Sequence, residues 1–261
     1  MTTLSVLEVI ILIKAIVTDL DNTLLRNNKT ISDYTVNILK RCQSAGVKVV
    51  FATARSSQAS SKLLNRFAPD VFVGYGGALV MVLDSVIHRF DISSEISNML
   101  IKECLETPAV IAIYAINEKI ALSNKPTSDM SHYQYTDFTM ESKESFLKIS
   151  LYANNPTAVE NIASRFPMCD MLRYTGENLY RFANRDAVKW KAVQTISEYF
   201  DYGTDAFVVF GDDINDIEMV QKYGIGVAVT NAIQKLKSVA DYICDTNDND
   251  GVAKWLEENV L

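Results

Sequence analysis

Apolar, β-branched segments alternate with segments of helical periodicity toward both ends of the chain. In the N-terminal part an apolar run reaches Thr18, a helical segment follows with Ser32 as N-cap and Gly46 as C-cap signal, and "VKVVFAT" is a second apolar strand. Residues 187–246 repeat this alternation. Continuous apolar strands separated by helices are typical of a parallel sheet covered on both faces. The pattern predicts an α/β protein with a doubly wound, Rossmann-like parallel sheet.

The middle of the chain has a different pattern. Two strand hairpins, turning at 117–119 and 176–178, alternate there with two helical segments. This is an α+β arrangement inserted between the two halves of the α/β pattern. We therefore expect a discontinuous core of residues 1–87 and 185–261 and an inserted α+β cap domain of residues 88–184.

Composition and charge exclude several classes of protein. The 261 residues are 48% hydrophobic, which is enough for one large or two moderate domains, and the net charge of −7 argues against binding to nucleic acids or anionic membranes. The four cysteines form no C-x-x-C pair, and two histidines exclude a His-rich metal site. We expect a cytoplasmic protein with reduced thiols, as a monomer or weak homodimer.

The N-terminus is apolar between residues 6 and 13 but lacks a basic leader and a small-residue cleavage site. This composition argues against a signal peptide. An additional strand, or an extension of the first strand, is the expected structure. A membrane span needs about 18 apolar residues in succession, and the sequence has no such run.

The first apolar strand ends in two carboxylates, Asp19 and Asp21, in the stretch "AIVTDLDNTLL". Like charges at the end of a buried strand repel each other and resist burial. The second strand also ends in a polar residue, Thr53. A later strand, "FVVFGDD", ends in a further polar group, comprising Asp212, Asp213, Asn215 and Asp216.

The carboxyl ends of parallel strands meet at one edge of the sheet, where α/β proteins bind their ligands. The sequence therefore gathers several carboxylates and a hydroxyl at that edge. A hard divalent cation would neutralise them, and Mg²⁺ suits a set of oxygen ligands. We expect a magnesium site that also binds an anionic substrate.

These stretches resemble the motifs of the haloacid dehalogenase (HAD) superfamily of phosphohydrolases, and within it the Cof-type sugar-phosphatase branch (type IIB, C2 cap). "DLDNTLL" resembles the first motif, "FATARS" the second and "GDDINDIEM" the fourth, while Lys189 falls at the third. The downstream "GVAVTNA" and "DNDGVA" also resemble this branch. The resemblance implies a HAD core with a cap inserted between the second and third motifs.

The resemblance also implies roles for individual residues. Asp19 would be the nucleophile that forms an aspartyl-phosphate, and Asp21 the general acid and base. The phosphoryl group would be bound by Thr53, Lys189 and Asn215. The implied Mg²⁺ ligands are the carboxylates of Asp19 and Asp212 and the backbone carbonyl of Asp21, with Thr23 and Asp216 in support.

The sequence departs from the family pattern at a few positions. Gly76 stands where the family often has asparagine, so a side chain that could line the site is missing. Trp190 replaces the glycine that usually follows the lysine of the third motif. Lys191 could substitute for Lys189, but Lys189 has the family's spacing of 23 residues to Asp212.

The function that these features favour is a Mg²⁺-dependent phosphatase for small phosphorylated metabolites. One alternative is a phosphomutase of the same superfamily, which would need several arginines in its cap to hold a bisphosphate. The predicted cap has few, namely Arg89, Arg165, Arg173 and Arg181. A non-catalytic sugar-phosphate-binding protein is a second alternative. A carbon–halogen hydrolase is disfavoured because it has no need of Asp21 or the metal.

Overall fold

The structure is a computed structural model, and it describes residues 13–83, 85–125, 133–174 and 176–261. The strand or leader predicted before residue 13, and part of the polar loop predicted at 124–143, lie outside these residues. No helix in the described ranges combines the length and the hydrophobicity that crossing a bilayer requires.

Contacts divide the chain into two compact units. The first, the core unit, comprises the described residues of 13–88 and 188–261. The second, the inserted unit, comprises the described residues of 89–187. The assignment of the core unit to catalysis and of the inserted unit to a cap stays a prediction.

The core unit is built on an eight-stranded sheet. The strands are β1 (Ala15–Thr18), β2 (Lys48–Ala52), β3 (Val71–Gly74), β4 (Leu79–Val82), β5 (Ser85–Arg89), β12 (Phe207–Gly211), β13 (Ile225–Val229) and β14 (Tyr242–Cys244). Their order in the sheet is β14-β13-β12-β1-β2-β3-β4-β5. Neighbouring strands from β14 to β3 are parallel, and β4 is antiparallel to β3. The predicted α/β class with a parallel sheet is confirmed.

Strand β1 lies in the centre of this sheet. Its residue Val17 pairs with Val50 of β2 on one side and with Val209 of β12 on the other. All four residues of β1 are buried, as expected for a strand whose two faces are both covered. The residues that follow β1, β2 and β12 therefore emerge at the same edge of the sheet.

Helices flank the core sheet. They are α1 (Asp33–Ser44), α2 (Ser61–Leu64), α5 (Lys189–Phe200), α6 (Ile217–Lys222), α7 (Gln234–Lys237) and α8 (Gly251–Asn259). The hydroxyl of Ser32 accepts the Thr35 N–H at 3.0 Å, and Gly46 has φ +86°, so both predicted ends of α1 are confirmed. Helix α2 is shorter than predicted because serines, which compete for backbone hydrogen bonds, precede it.

The inserted unit is built on a six-stranded sheet. Its strands are β6 (Val110–Ile116), β7 (Ala121–Ser123), β8 (Gln134–Tyr135), β9 (Lys148–Ala153), β10 (Cys169–Arg173) and β11 (Leu179–Asn184), in the order β10-β11-β9-β6-β7-β8. Both predicted hairpins, β6–β7 and β10–β11, are present and antiparallel. The helices of this unit are α3 (Ser94–Glu106) and α4 (Pro156–Arg165).

Asp70 joins helix α1 to the start of strand β2. Its carboxylate accepts hydrogen bonds from Gln43 Nε2 (2.9 Å), Lys48 Nζ (2.9 Å) and the Val49 N–H (3.0 Å). Burial alone would raise the pKa of Asp70, but these hydrogen bonds outweigh it and lower the pKa. The folded protein therefore favours the ionised carboxylate more than the unfolded chain does, and the resulting stability is lost as the pH falls through the lowered pKa.

We expect Asp70→Asn to lower the free energy of unfolding by about 1–2 kcal/mol at pH 7, since hydrogen bonds to a charged group are lost. The difference from the wild type should shrink as the pH falls below about 4, the ordinary pKa of an aspartate. Urea unfolding at pH 7 and pH 3 measures it. Asp201→Asn, at an exposed position with φ +54° that asparagine tolerates, is the control. An equal loss at both pH values would contradict the prediction.

Candidate active site

Asp19 lies directly after β1, in the centre of the sheet edge, and its side chain is buried. Its backbone N–H donates to the Phe210 carbonyl of β12 at 3.1 Å, which continues the parallel ladder by one residue. Its Oδ1 accepts a hydrogen bond of 2.5 Å from Lys189 Nζ. Lys189 is the first residue of α5, so the N-terminus of that helix delivers a cation to the end of the central strand.

Asp216 is the second partner of this lysine. Lys189 Nζ donates to Asp216 Oδ1 at 2.7 Å, while Asp216 Oδ2 accepts the N–H groups of Asp212 (3.0 Å) and Asp213 (3.2 Å). Gly211 makes this packing possible, because a Cβ at that position would lie 2.4 Å from the Cβ of Asp216. Asp216 thus fixes both the lysine and the backbone that follows β12.

The carboxylate of Asp212 completes the group. Its Oδ1 accepts a hydrogen bond of 2.8 Å from the hydroxyl of Thr23, which follows β1. Thr23 is buried, and Asp212 is partly buried. A side chain from the β1 loop therefore orients a carboxylate that follows the neighbouring strand.

Burial and mutual repulsion disturb the charges of this group. Burial, opposed by Lys189 and reinforced by Asp216, raises the pKa of Asp19 to about 7. Burial likewise raises the pKa of Asp212 to about 6, although the Thr23 hydrogen bond opposes it. Burial disfavours the charge of Lys189, but Asp19 and Asp216 raise its pKa, so the lysine stays protonated. One lysine is too little positive charge for these carboxylates.

A divalent cation fits this arrangement. Asp19, Asp212 and Asp216 each place a carboxylate oxygen within 4.8 Å of the others. Both oxygens of Asp216 already accept hydrogen bonds, so Asp19 and Asp212 are the side chains best placed to hold the ion. All the donors are oxygen atoms, which suits Mg²⁺, and the ion would relieve the repulsion that raises the two pKa values.

Two cationic side chains bind the carboxylate of Asp21, and neither is among the predicted site residues. Arg55 binds it with two hydrogen bonds, Nε to Oδ2 at 2.7 Å and Nη2 to Oδ1 at 2.6 Å, and Lys29 Nζ lies 3.1 Å from Oδ1. Although burial alone would raise the pKa of Asp21, these contacts lower it. The carboxylate is thus in the ionised form that a general base needs, and its protonation for an acid role is opposed.

Thr53 and Asn215 are positioned differently from each other. Thr53 is buried at the end of β2, where its hydroxyl accepts the N–H of Arg55 at 3.2 Å. The second motif thus supplies both a hydroxyl and the arginine that holds Asp21. Asn215 is exposed, in the short 3₁₀ turn Ile214–Asp216, and its amide takes no part in the hydrogen bonds among the described site residues.

Comparison with known proteins shows which family the chain belongs to. Residues 16–256 match the model of the haloacid dehalogenase-like hydrolases. The chain belongs to this family. The predicted superfamily is confirmed, and the chain is an enzyme of the hydrolase class.

Relatives of this HAD-like hydrolase align along most of its length. A Haemophilus influenzae protein is 27% identical over 264 residues, covering 94% of this chain and 97% of its own. The 5-amino-6-(5-phospho-D-ribitylamino)uracil phosphatase of Bacillus subtilis is 27% identical over 259 residues, covering 92% and 95%. The solved structure of a HAD-superfamily phosphatase from Bacteroides thetaiotaomicron has a TM-score of 0.83 at 23% identity, covering 100% and 98%.

The departures from the family pattern have structural explanations in this hydrolase. Gly76 has φ +76°, in the left-handed region that favours glycine. At the next residue, Gly77, a Cβ would lie 2.4 Å from the carbonyl carbon of Val188, so the turn after β3 packs against the start of α5. The ring of Trp190 lies over Lys222 Nζ of α6, with 4.2 Å between the nitrogen and the ring centroid. Trp190 therefore packs on the neighbouring helix, and Lys189 rather than Lys191 makes the contacts with Asp19 and Asp216.

Proposed function

We propose that this hydrolase is a Mg²⁺-dependent phosphatase that acts on small phosphorylated metabolites through an aspartyl-phosphate. The observation that carries the proposal is the buried contact of Lys189 with Asp19 and Asp216 beside Asp212. In this group the carboxylate of Asp19 lies at the end of the central strand and is held by Lys189. The carboxylate of Asp212 lies close enough to share a metal ion with it. The names of the relatives, several of which are phosphatases, support the same activity.

In the first step, an Asp19 carboxylate oxygen attacks phosphorus and the bond from phosphorus to the leaving oxygen breaks. Asp21, in the minor protonated form that its contacts with Arg55 and Lys29 oppose, gives a proton to that oxygen, so the product leaves as an alcohol. Lys189 lies beside the nucleophile and offsets negative charge on the phosphoryl oxygens, and the buried hydroxyl of Thr53 is their further donor. Bound Mg²⁺ would supply additional charge stabilisation there.

In the second step, Asp21 takes a proton from a water molecule whose oxygen attacks the aspartyl-phosphate. The bond between phosphorus and the Asp19 oxygen breaks, which releases inorganic phosphate and restores the carboxylate. The ionised state that Arg55 and Lys29 maintain on Asp21 suits this step. The inserted unit would act as the cap that selects the leaving group, while the core unit carries the chemistry.

Removal of the metal tests this proposal. EDTA is expected to abolish hydrolysis of p-nitrophenyl phosphate and Mg²⁺ to restore it, whereas Ca²⁺ should inhibit because it is larger and accepts irregular coordination. Asp212→Asn should raise the Mg²⁺ concentration needed for half-maximal activity by at least about tenfold. Asp201→Asn, at an exposed position with φ +54° that asparagine tolerates, is the matched control. Full activity in EDTA would refute the metal site.

A further inference from the structure

The loop that follows β1 crosses the end of β12 and reaches the loops after β13 and β14. In the sheet, β12 separates β1 from β13, and β14 lies one strand further out. The hydroxyl of Thr23 in this loop donates to Asp212, which follows β12. The loop is also hydrogen-bonded to Asn231, which follows β13, and to Asn247, which follows β14. Asn231 belongs to "GVAVTNA" and Asn247 directly precedes "DNDGVA", and neither stretch contains an expected site residue.

The side-chain amide of Asn231 links two loops. Its Nδ2 donates to the carbonyl of Asn22 at 2.7 Å, and its Oδ1 accepts the N–H of Asn247 at 3.0 Å. Asn22 has φ +60°, a left-handed conformation that asparagine tolerates better than most residues and that turns the chain directly after Asp21. Asn231 therefore fixes the peptide group that joins this turn to Thr23.

The buried side-chain amide of Asn247 holds the other end of the loop. Its Nδ2 donates to the carbonyl of Leu25 at 2.9 Å and to Asn27 Oδ1 at 3.1 Å. Leu25 in turn forms an isolated β-bridge with Asp21. A buried amide is unfavourable unless it is hydrogen-bonded, so its partners are restricted to positions that satisfy it. Asn247 thus restrains Leu25 and, through the bridge, Asp21.

Residues 21–25, which these two asparagines restrain, carry groups that the proposed reaction uses. Asp21 supplies the carboxylate that exchanges the proton, and its backbone carbonyl is an expected Mg²⁺ ligand. The contacts of Arg55 and Lys29 with Asp21 are made to its carboxylate, so other groups must fix the backbone of the loop. A displacement of a reacting group by about 1 Å can lower a rate about 100-fold. A side chain that fixes this backbone therefore acts on the reaction through Asp21.

We propose that Asn231 and Asn247 are positioning residues of the active site, which fix the carboxylate and the carbonyl of Asp21 through the backbone of its loop. The inference rests on the proposed phosphatase function. Asn231 is exposed, and an exposed hydrogen bond contributes little to stability, so its bond to the Asn22 carbonyl serves the direction of the peptide more than the fold. Asn247 is buried and serves both.

The kinetics of Asn231→Ala with two aryl phosphates test the effect on the carboxylate. The phenolate that leaves phenyl phosphate is a strong base and needs a proton, whereas the phenolate of p-nitrophenyl phosphate leaves without one. A displaced Asp21 gives that proton less efficiently, so the ratio of kcat/KM for phenyl phosphate to kcat/KM for p-nitrophenyl phosphate should fall by at least about tenfold at saturating Mg²⁺. A partly unfolded sample would lower both values by the same factor. Asn37→Ala, at an exposed position of α1, is the matched control and should keep the wild-type ratio.

Calorimetric titration with Mg²⁺ tests the effect on the carbonyl, and it does not depend on catalysis. If the carbonyl of Asp21 loses its direction, Mg²⁺ should bind to Asn231→Ala at least about tenfold more weakly than to the wild type and to Asn37→Ala. Asn247→Ala should change the ester ratio and the Mg²⁺ affinity in the same direction. Its melting temperature should also fall, because a buried amide is lost, so both measurements are made where circular dichroism shows it folded.

A change in the ester ratio or in the Mg²⁺ affinity of the folded variants supports the proposal. Variants that melt at a lower temperature but keep the wild-type ratio and affinity would show that Asn231 and Asn247 are structural anchors only, and the inference would be wrong. A wild type that hydrolyses neither ester would refute the phosphatase function. The Mg²⁺ affinities would then decide alone, and equal values for the wild type and both variants would overturn the positioning role as well.

Discussion

Asp19→Asn is expected to reduce kcat for phosphate monoesters by at least about 10⁴-fold without unfolding the protein. The amide has nearly the same shape as the carboxylate but is a far weaker nucleophile. The fold should tolerate the change because Asp19 is buried with a pKa raised to about 7, so the carboxylate is already costly to keep charged. Lys189 keeps its second partner, Asp216.

Steady-state kinetics and thermal unfolding measure the two parts of this prediction, with Asp201→Asn again as the control. Incubation with substrate followed by acid quenching should reveal a phosphorylated wild-type protein and no phosphorylated variant, since the acceptor oxygen is lost. A variant that keeps a tenth of the wild-type activity would contradict the aspartyl-phosphate mechanism. If the variant is inactive because it is unfolded, its circular dichroism spectrum will differ from that of the wild type. The Asp201→Asn control should keep both the spectrum and the activity of the wild type.

The amino-acid sequence is sufficient to predict the sheet and the meeting of its strand ends. Continuous apolar strands and intervening helices imply parallel order, and parallel order brings the residues after β1, β2 and β12 to one edge. Strand direction alone therefore places Asp19, Thr53 and Asp212 at that edge, and the observed sheet order agrees. This prediction succeeds because it depends only on chain direction and strand burial, which local sequence determines well.

The contacts between side chains cannot be predicted in the same way. Arg55 and Asp21 are 34 residues apart and come from different loops, so their bidentate pairing depends on loop geometry that hydrophobic periodicity does not encode. The position of Arg55 two residues after Thr53 is the only available signal. Asp216 also makes more contacts than its expected supporting role implies, because its carboxylate accepts hydrogen bonds from both Lys189 and the backbone N–H of Asp212.

Lys189→Met should have the largest effect on stability of any substitution in the site. Lys189 is buried between Asp19 and Asp216, with distances of 2.5 and 2.7 Å. Removing the cation leaves two buried carboxylates that repel each other with nothing to compensate them. Breaking a buried ion pair from one side costs about 3–5 kcal/mol, so we expect a loss of this size in the free energy of unfolding. Activity should be lost as well, since the phosphoryl group then meets uncompensated negative charge.

The loss should depend on pH in a defined direction. Without Lys189, whose charge opposes the effect of burial, the pKa of Asp19 in the folded protein should rise further above its value in the unfolded chain, so that stability is retained at low pH and is lost as the pH rises through the raised pKa. Urea unfolding in EDTA, where no metal replaces the lysine, should therefore show a smaller difference from the wild type at pH 5 than at pH 8. Lys191→Met, two residues along the same helix, is the matched control. Equal losses for both variants would show that burial of the helix start, and not the charge of Lys189, holds the two carboxylates in place.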